Sequence, residues 1–165
     1  MRFALVDRIV ELEPGRKIAA VKNLTMAEEY LADHFPGFPV MPGVLMLQAL
    51  TEAGAWLIRA TDDFAHSIVV LREAVGVRYG QFVSPGQTLV LGAEIPGRQE
   101  GETRLKVRAT MEGRLTVAAR LVLAHYNLAD RHPAAADRDA LIRQTLRVQF
   151  EHLLPVERLA GTPPA

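Results

Sequence analysis

The chain has 165 residues, with no cysteine and with 19 basic side chains matched by 19 acidic ones. Hydrophobic residues make up 49% and charged residues 23%, which is ordinary usage for one folded domain and too apolar for a disordered chain. Zero formal net charge gives no overall pull toward nucleic acid or anionic lipid, and the lack of cysteine excludes disulfides, thiolate nucleophiles and cysteine-based metal sites.

The N-terminal stretch "MRFALVDRIVELEPG" places Asp7, Arg8, Glu11 and Glu13 inside its apolar pattern, so it does not read as a signal-peptide core. Neither the apolar run Gly43 to Leu47 nor any other approaches the roughly 18 residues a membrane span needs. The expectation is a soluble, cytoplasmic protein that binds neither membrane nor nucleic acid. Glu13-Pro14-Gly15 marks a turn, and residues 16–24 read as a first strand. Residues 25–35 suit a short helix, with Thr25 as N-cap and Glu28 closing a capping box. Prolines 36, 39 and 42 then forbid helix and hold the chain extended.

Residues 43–60, "GVLMLQALTEAGAWLIRA", combine good helix formers with apolar residues on nearly every face. A helix of that kind is surrounded by protein rather than resting on a surface. Strands follow. Residues 67–82 read as two strand segments or one long bent one, before a turn at Ser84-Pro85-Gly86-Gln87, and 88–95 as a strand that stops at Pro96. Leu105, Val107 and Ala109 alternate with Arg104, Lys106 and Arg108. Past a turn at Glu112-Gly113, Leu115, Val117, Ala119 and Leu121 alternate with Arg114, Thr116 and Arg120. Period-two alternation across a tight turn means a hairpin with one buried face and one wet face. About five antiparallel strands and one buried helix give an α+β fold, a curved sheet wrapped around the helix, with a second copy completing the cover. Residues 129–165 change character. A helix is expected from Ala134 to Leu154, with Leu141, Thr145, Val148 and His152 on its apolar stripe and a frayed end beyond.

The segment "HFPGFPVMPGVLMLQAL" resembles the signature of the 3-hydroxyacyl-[acyl-carrier-protein] dehydratases of bacterial fatty-acid synthesis, a hot-dog-fold family. "DRIVELEPGRKIAAVKNLT" is similar to that family's first strand and turn, and "GVRYGQFVSPGQTL" to a later strand–turn–strand. The resemblance spans roughly residues 5–126, so the organisation is a hot-dog domain over 1–128 and a C-terminal extension over 129–165. It implies an acyl tunnel along a subunit interface, lined by Val44, Leu45, Met46 and Leu50, with Tyr79, Phe82 and Val83 lining or gating it. Core packing is the competing account of those three. It also implies a homodimer, with assembly into hexamers left open, and an acyl carrier protein as partner. No metal or organic cofactor is needed, because the phosphopantetheine arm arrives with the substrate.

The chemistry of the motif can be stated from its residues. Dehydrating a 3-hydroxyacyl thioester means removing the proton beside the carbonyl and protonating the departing hydroxyl. A neutral imidazole, His34, suits the first task, and a proline-stiffened loop keeps it in place. Free N–H groups at the start of a helix stabilise the negative charge that grows on the thioester oxygen. By resemblance Gly43 N–H is that donor, joined by Val44. The resembled family carries Glu or Asp 14 positions after the histidine, on the buried helix and facing the partner's histidine. Here that position is Gln48, whose carboxamide orients a hydroxyl but gives up no proton. Glu52 lies one turn further on and is the alternative acid, its competing role being a salt bridge or a solvated carboxylate. Three readings stay open: a dehydratase weakened or altered at Gln48, a hot-dog enzyme with other thioester chemistry, and a non-catalytic acyl-carrier binder or inactive subunit of a heterodimer.

Other candidates carry less. His66, His125, His132 and His152 lack metal-ligand spacing, so no zinc site is expected. No phosphate-cradling glycine loop is present, and Ser67 and Ser84 lack a nucleophile-elbow context. The basic hairpin face (Arg104, Lys106, Arg108, Arg114, Arg120) is either a surface that steers an acidic carrier or an ordinary solvated face, and Arg72 and Arg78, near the expected tunnel mouth, are equal candidates for the carrier contact.

Overall fold

In the computed structural model, residues 4–35 and 37–155 are described. Six strands, β1 (Arg8–Glu13), β2 (Lys17–Asn23), β3 (Ile68–Tyr79), β4 (Thr88–Gln99), β5 (Glu102–Met111) and β6 (Arg114–Tyr126), form one antiparallel sheet in the order β1-β2-β4-β5-β6-β3. Helix α1 (Tyr30–Asp33) is a single turn, α2 (Gly43–Thr61) packs across the sheet against β2 through β6, and α3 (Ala136–Leu153) follows two 3₁₀ turns. The curved sheet around α2 is the arrangement expected from the all-round apolar helix. Ala49, Leu50, Ala53, Leu57 and Ile58 are fully buried along it. Gly54 lets the helix lie close: a Cβ there would come within 2.4 Å of Leu105 Cδ1 on β5.

Several expectations need correcting. The described residues form six strands, not about five. The first one, β1, hides from a period-two reading because its pairing with β2 shifts register between Ile9 and Glu11, leaving Ile9 buried and Val10 and Glu11 outside. The β5–β6 hairpin turns at Glu112-Gly113, both at positive φ (52° and 76°), which a two-residue hairpin turn requires. A bulge near Thr110 then opposes Leu115 to Thr110 and Val117 to Ala109, so Leu115 is exposed and Thr116 is buried, the reverse of simple alternation. Buried Thr116 is satisfied: its Oγ1 takes a hydrogen bond from Gln81 and its carbonyl takes the Gly80 N–H. The long bent strand is β3, with register shifts at Leu71/Glu73 and Val75/Arg78 and Gly76 at φ 64°.

The helix expected over 25–35 shrinks to α1, and the Thr25–Glu28 capping box does not form. Thr25 Oγ1 instead accepts the Ala27 N–H in a local turn, while the Glu28 carboxylate pairs with buried Lys22 at 2.6 Å. The proline loop is not extended throughout, since Phe38 N–H bonds back to the Phe35 carbonyl in a turn. Pro36 lies outside the described residues, as does the frayed end expected beyond 155.

Helix α3 starts at Ala136 and turns a different face inward. Leu141, Thr145, Val148 and His152 are exposed. Leu146, Phe150 and Leu153 pack on the core, with the Phe150 ring against Trp56 and Phe64. A buried carboxylate fixes this choice. Asp139, 1% exposed, accepts the Ser67 hydroxyl and the Leu128 and Ala129 N–H groups at 3.0 and 2.8 Å. Removing a buried acceptor leaves its donors unsatisfied. Asp139→Ala is therefore expected to loosen α3 and leave the sheet intact, with limited proteolysis cutting within residues 136–153 first.

Candidate active site

His34 ends α1 in an extended conformation (φ −114°, ψ 104°), half-buried, with its ring 4.4 Å from that of Phe35. Phe35 occupies the left-handed region at φ 49°, an uncommon conformation for a bulky residue, which turns the chain sharply after the histidine. The loop is then anchored. Val40 and Met41 are each 1% exposed, and Met41 donates its N–H to the carbonyl of Val83, itself fully buried. Pro42 follows as N-cap, contributing no side-chain cap, and its carbonyl receives the Leu45 and Met46 amides at 2.9 and 3.1 Å. The Gly43 and Val44 amides precede those bonds and have no acceptor among the described residues. They form an anion-stabilising terminus that no side chain among the described residues fills.

Gly43 is required by its neighbour. A Cβ there would lie 3.0 Å from Tyr79 Cε1 and 3.2 Å from Cζ, so the phenol ring rests on the start of the helix. Tyr79 is half-exposed, as is Phe82, whose ring meets that of Phe38 edge-on at 5.7 Å. With Phe35, Val44 and Leu115 these rings leave a group of large apolar side chains uncovered around this end of α2. Leu45 is partly buried, whereas Met46 and Leu50 point into the core. Val83 is core as well as loop anchor, and Val44 is 71% exposed.

Gln48 and Glu52 separate. Gln48 is exposed, one turn beyond Val44 on the outward stripe, and makes no hydrogen bond among the described residues. Glu52 is half-buried beneath the N-terminal segment, where its Oε2 accepts the Leu5 N–H at 2.8 Å. Burial raises its carboxyl above the usual 4.5 even though the Leu5 amide and the Arg59 charge pull the other way. The folded chain thus holds this proton more tightly than the unfolded one, so Glu52 costs stability as pH climbs from 4.5 through its raised value. Glu52→Gln is expected to match the wild-type denaturation midpoint near about pH 4 and to exceed it near about pH 8. The Leu5 contact is a signal no local pattern carries, since it spans 47 residues.

The basic hairpin face is solvent-exposed as expected. Lys106, Arg108 and Arg120 line a trough of about 950 Å³ on the sheet, together with Arg78, Glu11, Lys17 and Glu94. None of residues 34–52 borders it, so the trough is distinct from the His34 loop. Arg72 is taken up by an ion pair with Glu102.

Residues 1–124 match the model of the FabA-like domain family. The 3-hydroxyacyl-[acyl-carrier-protein] dehydratase FabZ of Ruminiclostridium cellulolyticum is 36% identical over 122 residues, covering 74% of this chain and 86% of that protein. FabZ of Listeria welshimeri is 38% identical over 122 residues, covering 74% and 85%. Among solved structures, the dehydratase heterocomplex ApeI:P from Xenorhabdus doucetiae superposes with a TM-score of 0.65 over 81% of this chain and 90% of that one, at 14% identity, a likeness of fold.

Proposed function

The chain belongs to the FabA-like family, and from that premise we propose that it works as a 3-hydroxyacyl-[acyl-carrier-protein] dehydratase with His34 as base and the Gly43 amide as oxyanion donor. The reaction removes water from a 3-hydroxyacyl thioester and leaves a trans-2-enoyl thioester. The observation that carries the assignment is one anchored loop. The imidazole sits at its start, two unclaimed helix amides sit at its end, and the Met41–Val83 bond pins it between them.

The neutral His34 ring takes the C2 proton while the Gly43 amide, with Val44 beside it, holds the oxygen of the forming enolate. The C3–O bond then breaks, and the hydroxyl leaves as water after receiving a proton. Gln48 supplies none, so the imidazolium that has just formed returns its own. The Gln48 carboxamide orients the hydroxyl by hydrogen bonding. One imidazole therefore serves both halves of the reaction, which works more slowly than a base and a separate acid.

Gln48 faces out of its own chain, beside the uncovered Phe35, Phe38, Val44, Tyr79 and Phe82. An apolar group of that extent at a helix start fits a second copy of the chain, whose His34 would then meet this glutamine. The working unit in this reading is a homodimer, with the acyl chain between the copies near Leu45 and an acyl carrier protein delivering it. Among the described residues no helix is long and apolar enough to cross a membrane.

Hydration of a crotonyl thioester by the purified chain tests the assignment, read together with its mass in solution. Turnover by a dimer supports it. Gln48 also favours a second reading, a non-catalytic carrier binder or the inactive subunit of a heterodimer. Such a chain holds the carrier but gives no turnover in the same assay.

A further inference from the structure

A second group of chemistry-bearing side chains lies at the other end of α2, about 27 Å along a helix of 19 residues. Asp62 caps α2, His66 sits in the connection to β3, and His125 is the penultimate residue of β6. The two histidines are far apart in sequence, but β3 and β6 run antiparallel with Ile68 opposite Tyr126 and Val69 opposite His125. That pairing brings their ring centroids to 4.6 Å, with the planes tilted by 40°. One donor atom from each of Asp62, His66 and His125 lies within 4.8 Å of the other two, and His66 Nε2 is 3.6 Å from Asp62 Oδ2.

Two ring nitrogens here have no hydrogen-bond partner among the described residues. His125 is only 6% exposed, and its Nδ1 makes no hydrogen bond. The buried Nδ1 of His66 makes none either. Buried polar atoms without partners are uncommon, because each forfeits its hydration for nothing in return. His125 Nε2 meets the hydroxyl of fully buried Thr103 at 3.2 Å, which fixes the plane of the ring.

We propose that Asp62, His66 and His125 bind a divalent transition-metal ion of the zinc class. Two imidazoles and one carboxylate are a donor set that zinc takes, with water in the fourth position. Thr103 acts as the outer partner that orients a metal-bound histidine. Closing the donors to about 3.3 Å around an ion with bonds of about 2.0–2.1 Å needs small rotations of the half-buried His66 and Asp62. Among the described residues one cation competes with the ion. Arg98 Nη2 lies 2.6 and 2.7 Å from the two Asp62 oxygens, so guanidinium and metal must share that carboxylate. A bound ion would tie the end of α2 to the β3–β6 edge, remote from the His34 loop.

Titration of the metal-stripped chain with Co²⁺ and Zn²⁺ tests this, using the visible cobalt absorbance, calorimetry and thermal unfolding. The expected result is one ion per chain, a tetrahedral cobalt spectrum and a raised unfolding temperature. Arg98→Met should bind about tenfold more tightly, because a competing cation is gone. His66→Ala, at the more accessible ligand, should weaken binding by about 100-fold or more, and His125→Asn should do the same if circular dichroism shows it folded. No binding at millimolar metal overturns the proposal, and so does equal binding by His66→Ala, which would place the ion on other histidines. Crotonyl thioester hydration measured in parallel tests the His34 assignment separately.

Discussion

Replacing His34 by alanine lowers kcat for crotonyl thioester hydration by about 10²–10⁴-fold, the range expected when a positioned base is lost. In the mechanism above this imidazole moves both protons, which places the expected loss toward the upper end of that range. KM should change little, because the Gly43 and Val44 amides that hold the thioester oxygen come from the backbone of α2 and remain in place. The fold should be indifferent. His34 is half-buried, makes no hydrogen bond or ion pair among the described residues, and touches Phe35 through its ring alone. A shift in unfolding free energy beyond about 0.5 kcal/mol would be out of keeping with such a position. Added imidazole should restore part of the rate by occupying the space left. An alanine variant with wild-type turnover would remove His34 from the mechanism altogether.

Those parts of the fold governed by neighbouring residues are legible in the sequence. Apolar residues on nearly every face mark α2 as wrapped, and the Glu112-Gly113 turn between alternating runs marks the β5–β6 hairpin. Period two breaks where one inserted residue shifts the register. A bulge hid β1, and another exchanged the roles of Leu115 and Thr116. On α3, hydropathy pointed to Leu141 and Val148. The inward face was settled instead by the Asp139 carboxylate and by Phe150 meeting Trp56, contacts made far along the chain. The site divides in the same way. His34, its proline loop and Gly43 are contiguous and could be read directly, whereas the tethering of Glu52 by Leu5 and the meeting of His66 with His125 exist only after the sheet has formed.

Glutamate in place of Gln48 is expected to raise kcat by about 10²-fold or more, the lower bound of what a general acid contributes. The substitution asks little of the fold. Gln48 is exposed and unbonded, and its nearest helix neighbour of like charge, Glu52, adds a repulsion of about 0.2–0.5 kcal/mol. If a second copy covers this face, the new carboxyl sits among Val44 and the exposed rings, where burial favours its protonated, proton-giving form. The pH–rate profile should change shape as well as height. The added acid works only while it holds its proton, so the variant's rate falls at high pH and its profile becomes a bell, a fall that the wild type lacks. Glu52→Gln should leave both profiles as they are, because its carboxylate is engaged with Leu5. The double variant His34→Ala/Gln48→Glu should stay as slow as His34→Ala, since without the imidazole no group moves the C2 proton in either direction. Should Gln48→Glu bring neither a faster rate nor a bell, position 48 does not face the reacting hydroxyl. Should Glu52→Gln then abolish the residual activity, the proton comes from one turn further along α2.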